Sequence, residues 1–151
     1  MNLNLTAIPF QRGSPMNCGR VVLADSHPGM LEGLRRMLET VAKSVLMVAD
    51  EASLIQAMES VRPDLVIADL SFPVSGAANV ARLIKQLHPA IKLIVVSIHD
   101  DPEAVNEAGS AGAEGFILKR RAVVDLIPAI CEVCQGRRFV AMDTAGNDPE
   151  P

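Results

Sequence analysis

Four side chains able to handle a phosphoryl group or a metal ion stand at the downstream ends of apolar runs. Asp25 follows Arg20-Val21-Val22-Leu23-Ala24, Asp69 follows Leu65-Val66-Ile67-Ala68, Ser97 follows Ile91-Lys92-Leu93-Ile94-Val95-Val96, and Lys119 follows Phe116-Ile117-Leu118. Two carboxylates suit a hard divalent cation such as Mg²⁺, which prefers oxygen ligands and keeps several of its waters. A lysine beside them can pair with a carboxylate or neutralise an incoming phosphoryl oxygen, and a serine hydroxyl can hydrogen-bond another. A nucleophilic carboxylate, a metal, a cation and a donor are together what phosphoryl transfer to an acid requires.

For these groups to meet, the elements that carry them must be parallel. The run from Leu65 to Ala68 does not alternate, which suits a strand buried on both faces, and Pro73, Ser75 and Gly76 follow as turn formers. Helical spacing appears between the strands. Pro28 suits a first turn, and Met30, Leu31, Leu34, Met37, Leu38 and Val41 recur at three and four. Ser44 to Ala49 reads as a second strand, and Asp50 caps a helix striped by Leu54, Met58 and Val61. Val80, Leu83, Ile84 and Leu87 mark a third helix closed by His88-Pro89. Asp101-Pro102-Glu103 opens a fourth, running to about Ala108, with few large apolar residues and the lightest expected docking. Gly112 to Gly115 turns the chain into the fifth strand. The last helix carries Leu126, Ile127, Ile130, Val133 and Cys134, and a start near Val124 puts Pro128 in or near its first turn.

Five alternations of strand and helix imply an α/β fold, a doubly wound five-stranded parallel sheet in the order 2-1-3-4-5. Strands one and three are then neighbours at the switch point, and Asp25 and Asp69 share one crevice. Residues 1–19 read as a flexible N-terminal extension, 20–140 as the domain, and 141–151 as a flexible C-terminal tail.

Composition sets the frame for this reading. A chain of 151 residues, 49% hydrophobic with four Phe and no Trp or Tyr, supports one domain with an aliphatic core. A net charge of −4 argues against nucleic acid as the main partner, and no run is apolar enough to span a bilayer. No secretory signal is visible, and three cysteines close no disulfide framework, so a reducing cytoplasm is the expected compartment. The spacing Cys131-x-x-Cys134 matches redox or zinc pairs, but it falls on or near an apolar helix stripe and reads as buried thiols. His27 and His99 flank the expected pocket, while His88 ends a helix.

The stretches Val21-Val22-Leu23-Ala24-Asp25-Ser26-His27-Pro28, Pro63-Asp64-Leu65-Val66-Ile67-Ala68-Asp69-Leu70, Val95-Val96-Ser97 and Gly112-Ala113-Glu114-Gly115-Phe116-Ile117-Leu118-Lys119 resemble a response-regulator receiver domain of two-component signalling. The sub-type is similar to receivers of LuxR-type regulators. The resemblance implies a flavodoxin-like receiver fold over 20–140 with Asp69 as phospho-acceptor. It implies a Mg²⁺ site from Asp25, Asp69 and the Ser71 backbone carbonyl. Ser97 would bind and report the phosphoryl group, Phe116 would be the switching aromatic, and Lys119 would contact the phosphate. The implied partners are a histidine kinase or phosphotransfer protein and an output partner, with a second copy in a homodimer as a further candidate, no membrane, and no DNA bound by this chain alone. The signal would leave through the fourth helix, fifth strand and fifth helix. Such a domain is a phospho-acceptor with at most slow self-catalysed turnover, not an enzyme.

Two departures from the family pattern stand out. The family carries two consecutive acids where this chain has Asp25 then Ser26, a degenerate second acidic position, so Mg²⁺ is expected to bind weakly. The loop from Asp69 to Gly76 is also slightly short. Both features motivate an alternative, a phosphorylation-independent pseudo-receiver acting as an interaction module. A small metal-dependent phosphatase is a further alternative, but it would want an acid where Ser71 stands.

Overall fold

A computed structural model describes residues 18–99 and 101–141. Strands β1 (Arg20–Ala24), β2 (Ser44–Val48), β3 (Leu65–Asp69), β4 (Lys92–Ser97), β5 (Gly115–Leu118) and β6 (Phe139–Val140) form one sheet in the order β2-β1-β3-β4-β5-β6. Every pairing is parallel. The helices are α1 (Pro28–Leu38), α2 (Glu51–Ser60), α3 (Val80–Leu87), α4 (Pro102–Ser110) and α5 (Ala122–Cys134).

Strand periodicity divides the apolar side chains between two cores. Val22, Ala24, Val66, Ala68, Leu93, Val95, Phe116 and Leu118 point to α2, α3 and α4. Val21, Leu23, Leu65, Ile67, Ile94, Val96 and Ile117 point to α1 and α5. This is the alternation of a strand covered on both faces, where each buried Leu or Ile contributes about 2 kcal/mol. Asp50, Asn79 and Asp101 cap α2, α3 and α4 by accepting from the backbone N–H groups of Ser53, Arg82 and Ala104 at 2.8–2.9 Å. Such caps satisfy amides that the first helical turn leaves unpaired. Within its span α4 buries only Ala104 and Ala108, in keeping with the light docking expected of it.

Three features differ from expectation. The sheet has six strands, not five. Beyond α5 the chain turns at Gly136 (φ 86°) and lays β6 along β5, with Phe139 N–H on Glu114 O (3.0 Å) and Ala141 N–H on Phe116 O (2.8 Å). A two-residue strand makes no periodic signal, and pairing decides it. The last helix begins at Ala122, directly after a 3₁₀ turn at Lys119–Arg121. Pro128 therefore lies inside it, beyond the first turn, on the exposed side of the helix. Finally, Cys18 and Gly19 belong to the folded unit, since Cys18 is buried and its N–H reaches Val41 O at 2.9 Å. The rest of the expected extension, and the tail after 141, lie outside the described residues.

Candidate functional site

Because β1 and β3 are neighbours whose following helices go to opposite faces, their C-terminal ends open a crevice at the switch point. Asp25 and Asp69 both stand in it, 2% and 3% exposed. Lys119 comes from the end of β5, and the 3₁₀ turn carries its ammonium between them. Its Nζ lies 2.9 Å from Asp69 Oδ2 and 3.2 Å from Asp25 Oδ2. Buried charges persist only when paired and hydrogen-bonded, and here one cation serves two anions.

The remaining oxygens are also held. Ser71 donates to Asp69 Oδ1 from its N–H (3.1 Å) and its hydroxyl (3.0 Å). The His27 backbone N–H donates to Asp25 Oδ1 at 2.9 Å. Burial pushes the Asp69 carboxyl up, but the bonds from Lys119 and Ser71 outweigh it and hold the acid below the usual carboxylate range. Burial pulls the Lys119 ammonium down, and its bonds to Asp69 and Asp25 more than reverse that. The group on β3 is thus an ionised, oriented carboxylate.

Ser97, at the end of β4, is 1% exposed, and its Oγ accepts the His99 N–H at 2.9 Å, which leaves the hydroxyl proton to donate elsewhere. A cavity of about 180 Å³ joins this hydroxyl to the acceptor side, lined by Asp69, Ser71, Ser97, His99 and Glu107 among others. Phe116 lies buried one strand away, in the core that includes Phe72, Ala104 and Ala108. Asp25, Asp69, Ser71, Ser97 and Lys119 are therefore brought to one end of the sheet, with Phe116 beneath them. Ser26 is partly buried next to Asp25 and brings no second carboxylate.

His27 takes a larger part than its sequence position suggests. Its Nδ1 lies 3.0 Å from Asp25 Oδ1, 3.5 Å from Asp69 Oδ2 and 3.3 Å from Lys119 Nζ. Ligand atoms from Asp25, His27 and Asp69 lie within 4.8 Å of one another, the group among the described residues that could hold a cation. Two carboxylates fit Mg²⁺ with waters completing its shell, while the third atom is an imidazole nitrogen, which Mg²⁺ prefers less than oxygen. Lys119 pairs with the same two carboxylates. The donor set thus fits a divalent ion.

An α/β domain with two acids and a lysine at the switch point of a 2-1-3-4-5-ordered parallel core defines a class in which strand ends carry the chemistry. Within that class, the chain belongs to the response regulator receiver domain family, whose family model matches residues 21–131. It is 31% identical over 130 residues to the probable transcriptional regulatory protein NarL of Mycobacterium tuberculosis, a match spanning 84% of this chain and 60% of that protein. Among solved structures it is similar to a LuxR-family two-component response regulator from Aurantimonas (TM-score 0.74, 29% identity, 84% of this chain and 92% of that one). It is also similar to the isolated receiver domain of RcsB from Salmonella enterica with the phosphomimetic BeF₃⁻ (TM-score 0.73, 28% identity, 81% and 92%). The chain spans about three fifths of the length of the curated relative. No helix among the described residues is long and apolar enough to cross a membrane.

Proposed function

We propose that this receiver accepts a phosphoryl group on Asp69 from the phosphohistidine of a histidine kinase or phosphotransfer protein, in the cytoplasm. The observation that carries this reading is the state of Asp69: buried, held ionised, oriented by Ser71 and Lys119, and open to a phosphoryl-sized cavity. A carboxylate oxygen attacks phosphorus, the P–N bond to the donor imidazole breaks, and that imidazole keeps the electron pair and takes a proton. Lys119 then faces a phosphoryl oxygen with the ammonium that now spans the two acids, and Ser97 donates its hydroxyl proton to another. Asp25 and Asp69, with the Ser71 carbonyl, would hold Mg²⁺, which when bound offsets the charge brought by the phosphoryl group. With Ser26 in place of an acid, that ion is held weakly. Movement of Ser97 toward the phosphoryl group frees space beside Phe116, and the lightly docked α4 with β5 and α5 forms the face that reports it.

The test is intact-mass analysis after incubation with Mg²⁺ and acetyl phosphate. One added phosphoryl group is expected, absent from Asp69→Ala, and equal labelling of the two proteins would refute the assignment. A phosphorylation-independent module gains no support from the relatives. A phosphatase would need an acid at Ser71, whose hydroxyl instead donates to Asp69.

A further inference from the structure

At the other end of the sheet the chain brings together two sulfurs that lie far apart in sequence. Cys18 precedes β1, Gly19 follows it, and Lys43, Asp64 and Lys92 stand at the starts of β2, β3 and β4. With Cys134, the last residue of α5, they line a cavity of about 460 Å³. The backbone fixes Cys18 from both sides. Its own N–H is bound to Val41 O, and Gly19 O accepts the Lys43 N–H at 2.8 Å. Gly19 has φ 79°, and a Cβ there would strike the Asp64 carboxylate that accepts the Arg20 N–H at 2.8 Å. Cys134 packs against the core cluster that contains Cys18, and both residues face the same cavity, near enough for each thiol to perturb the other.

We propose that Cys18 and Cys134 are a thiol–disulfide exchange site, which a low-molecular-weight disulfide oxidises to an intramolecular bridge between the start of β1 and the end of α5. The pair is chemically asymmetric. The neighbouring Cys18 thiol lowers the Cys134 thiol below its ordinary value against the opposing effect of burial, and Lys92 adds to the lowering. Cys18, the more deeply buried of the two, is raised by Cys134 and by burial. Cys131, although three residues from Cys134, is raised chiefly by burial. Cys134 is half-buried where Cys18 is buried, so an incoming disulfide reaches the Cys134 sulfur first through the cavity, and the lowered thiol supports its role as the attacking group.

The electrons balance in two steps. The Cys134 thiolate attacks one sulfur of the small disulfide, forming a mixed disulfide and expelling one thiolate, which takes up a proton. Cys18 then loses its proton and attacks the Cys134 sulfur, expelling the second small thiol. Two protein thiols give up two electrons and two protons, and the small disulfide becomes two thiols. The bridge would tie the segment before β1 to the point where the chain leaves α5 for β6, at the opposite end of the strands from Asp69. Closing so long a loop raises the Tm by roughly 10 °C.

The experiment uses the full chain and oxidised glutathione, read by intact mass and non-reducing peptide mapping. The expected product is lighter by two hydrogens, links Cys18 to Cys134, and forms equally in Cys131→Ser. Cys18→Ser is expected to stop at a single glutathione adduct on Cys134, and iodoacetamide is expected to alkylate Cys134 of the reduced protein first. A Cys131–Cys134 link, a bridge between two chains, or adducts spread over all three cysteines would overturn the proposal. A folded, unmodified protein after prolonged exposure would overturn it as well.

Discussion

Replacing Lys119 by Met should reverse the way the domain responds to acid. In the wild-type protein the ammonium lies 2.9 Å and 3.2 Å from two buried carboxylates. Met retains much of the stem and removes the charge. Removing one partner of a buried ion pair costs about 3–5 kcal/mol, because the remaining charge is left uncompensated. At a urea slope of about 2 kcal/mol/M, the unfolding midpoint near pH 7 should fall by roughly 2 M. The sign of the pH dependence follows from Asp69. Its folded value lies below its unfolded one of about 3.9, so its contribution is present above that value and is lost as pH falls through the folded one. Without Lys119, burial and the neighbouring Asp25 face only the Ser71 bonds, and the carboxyl moves up. The variant then takes up a proton on folding and is relieved by acid, while the wild-type protein keeps the Asp69 contribution until the pH nears the unfolded value. The gap between the two urea midpoints should therefore narrow steadily from pH 7 to pH 4. Mg²⁺ should also stabilise the variant more, returning about 2.7 kcal/mol at a hundred times its Kd, because no ammonium pairs with the two carboxylates. Asp69→Asn in the Lys119→Met background should recover part of the loss, since it removes an unpaired charge. An unchanged midpoint at pH 7, or a gap that widens in acid, would refute this account of the site.

Two further outcomes follow from the same geometry. Ser26→Asp places a second acid beside Asp25 and should tighten Mg²⁺ binding about tenfold by calorimetric titration, the effect of roughly 1.4 kcal/mol from one added oxygen anion. Pro128→Ala supplies the missing N–H on the exposed side of α5 and should stabilise the domain by about 1–3 kcal/mol in urea unfolding, with acetyl phosphate labelling unchanged.

The strands and most of the site were legible because one physical cause writes both into the sequence. A strand buried on two faces is an uninterrupted apolar run, and a polar residue at its end is conspicuous, which is why Asp25, Asp69, Ser97 and Lys119 could be picked out together. Asp50 and Asp101 could be read as caps because that role is decided within a few residues. His27 could not be read in the same way. Its imidazole meets Asp25 locally, but Asp69 and Lys119 reach it only through the sheet order. Phe139 and Val140 become a strand only by pairing with Gly115 and Phe116. The start of α5 shifted because Ala122 buries itself beneath the turn that aims Lys119, a tertiary demand stronger than the proline. Cys18 sits in an aperiodic stretch, and its partner lies almost a whole domain away in the chain, so no local spacing could have announced it.

The separation of the apolar side chains into two cores has a consequence for how the protein can diverge. Substitutions on α1 or α5 repack against one set of strand residues, and substitutions on α2, α3 or α4 against the other. Sites that share no partners and lie well apart contribute nearly additively to stability. One face can therefore accumulate changes that retarget a contact while the opposite face keeps its own, and the strand ends between them remain in place. Such a domain is free to drift on one side at a time.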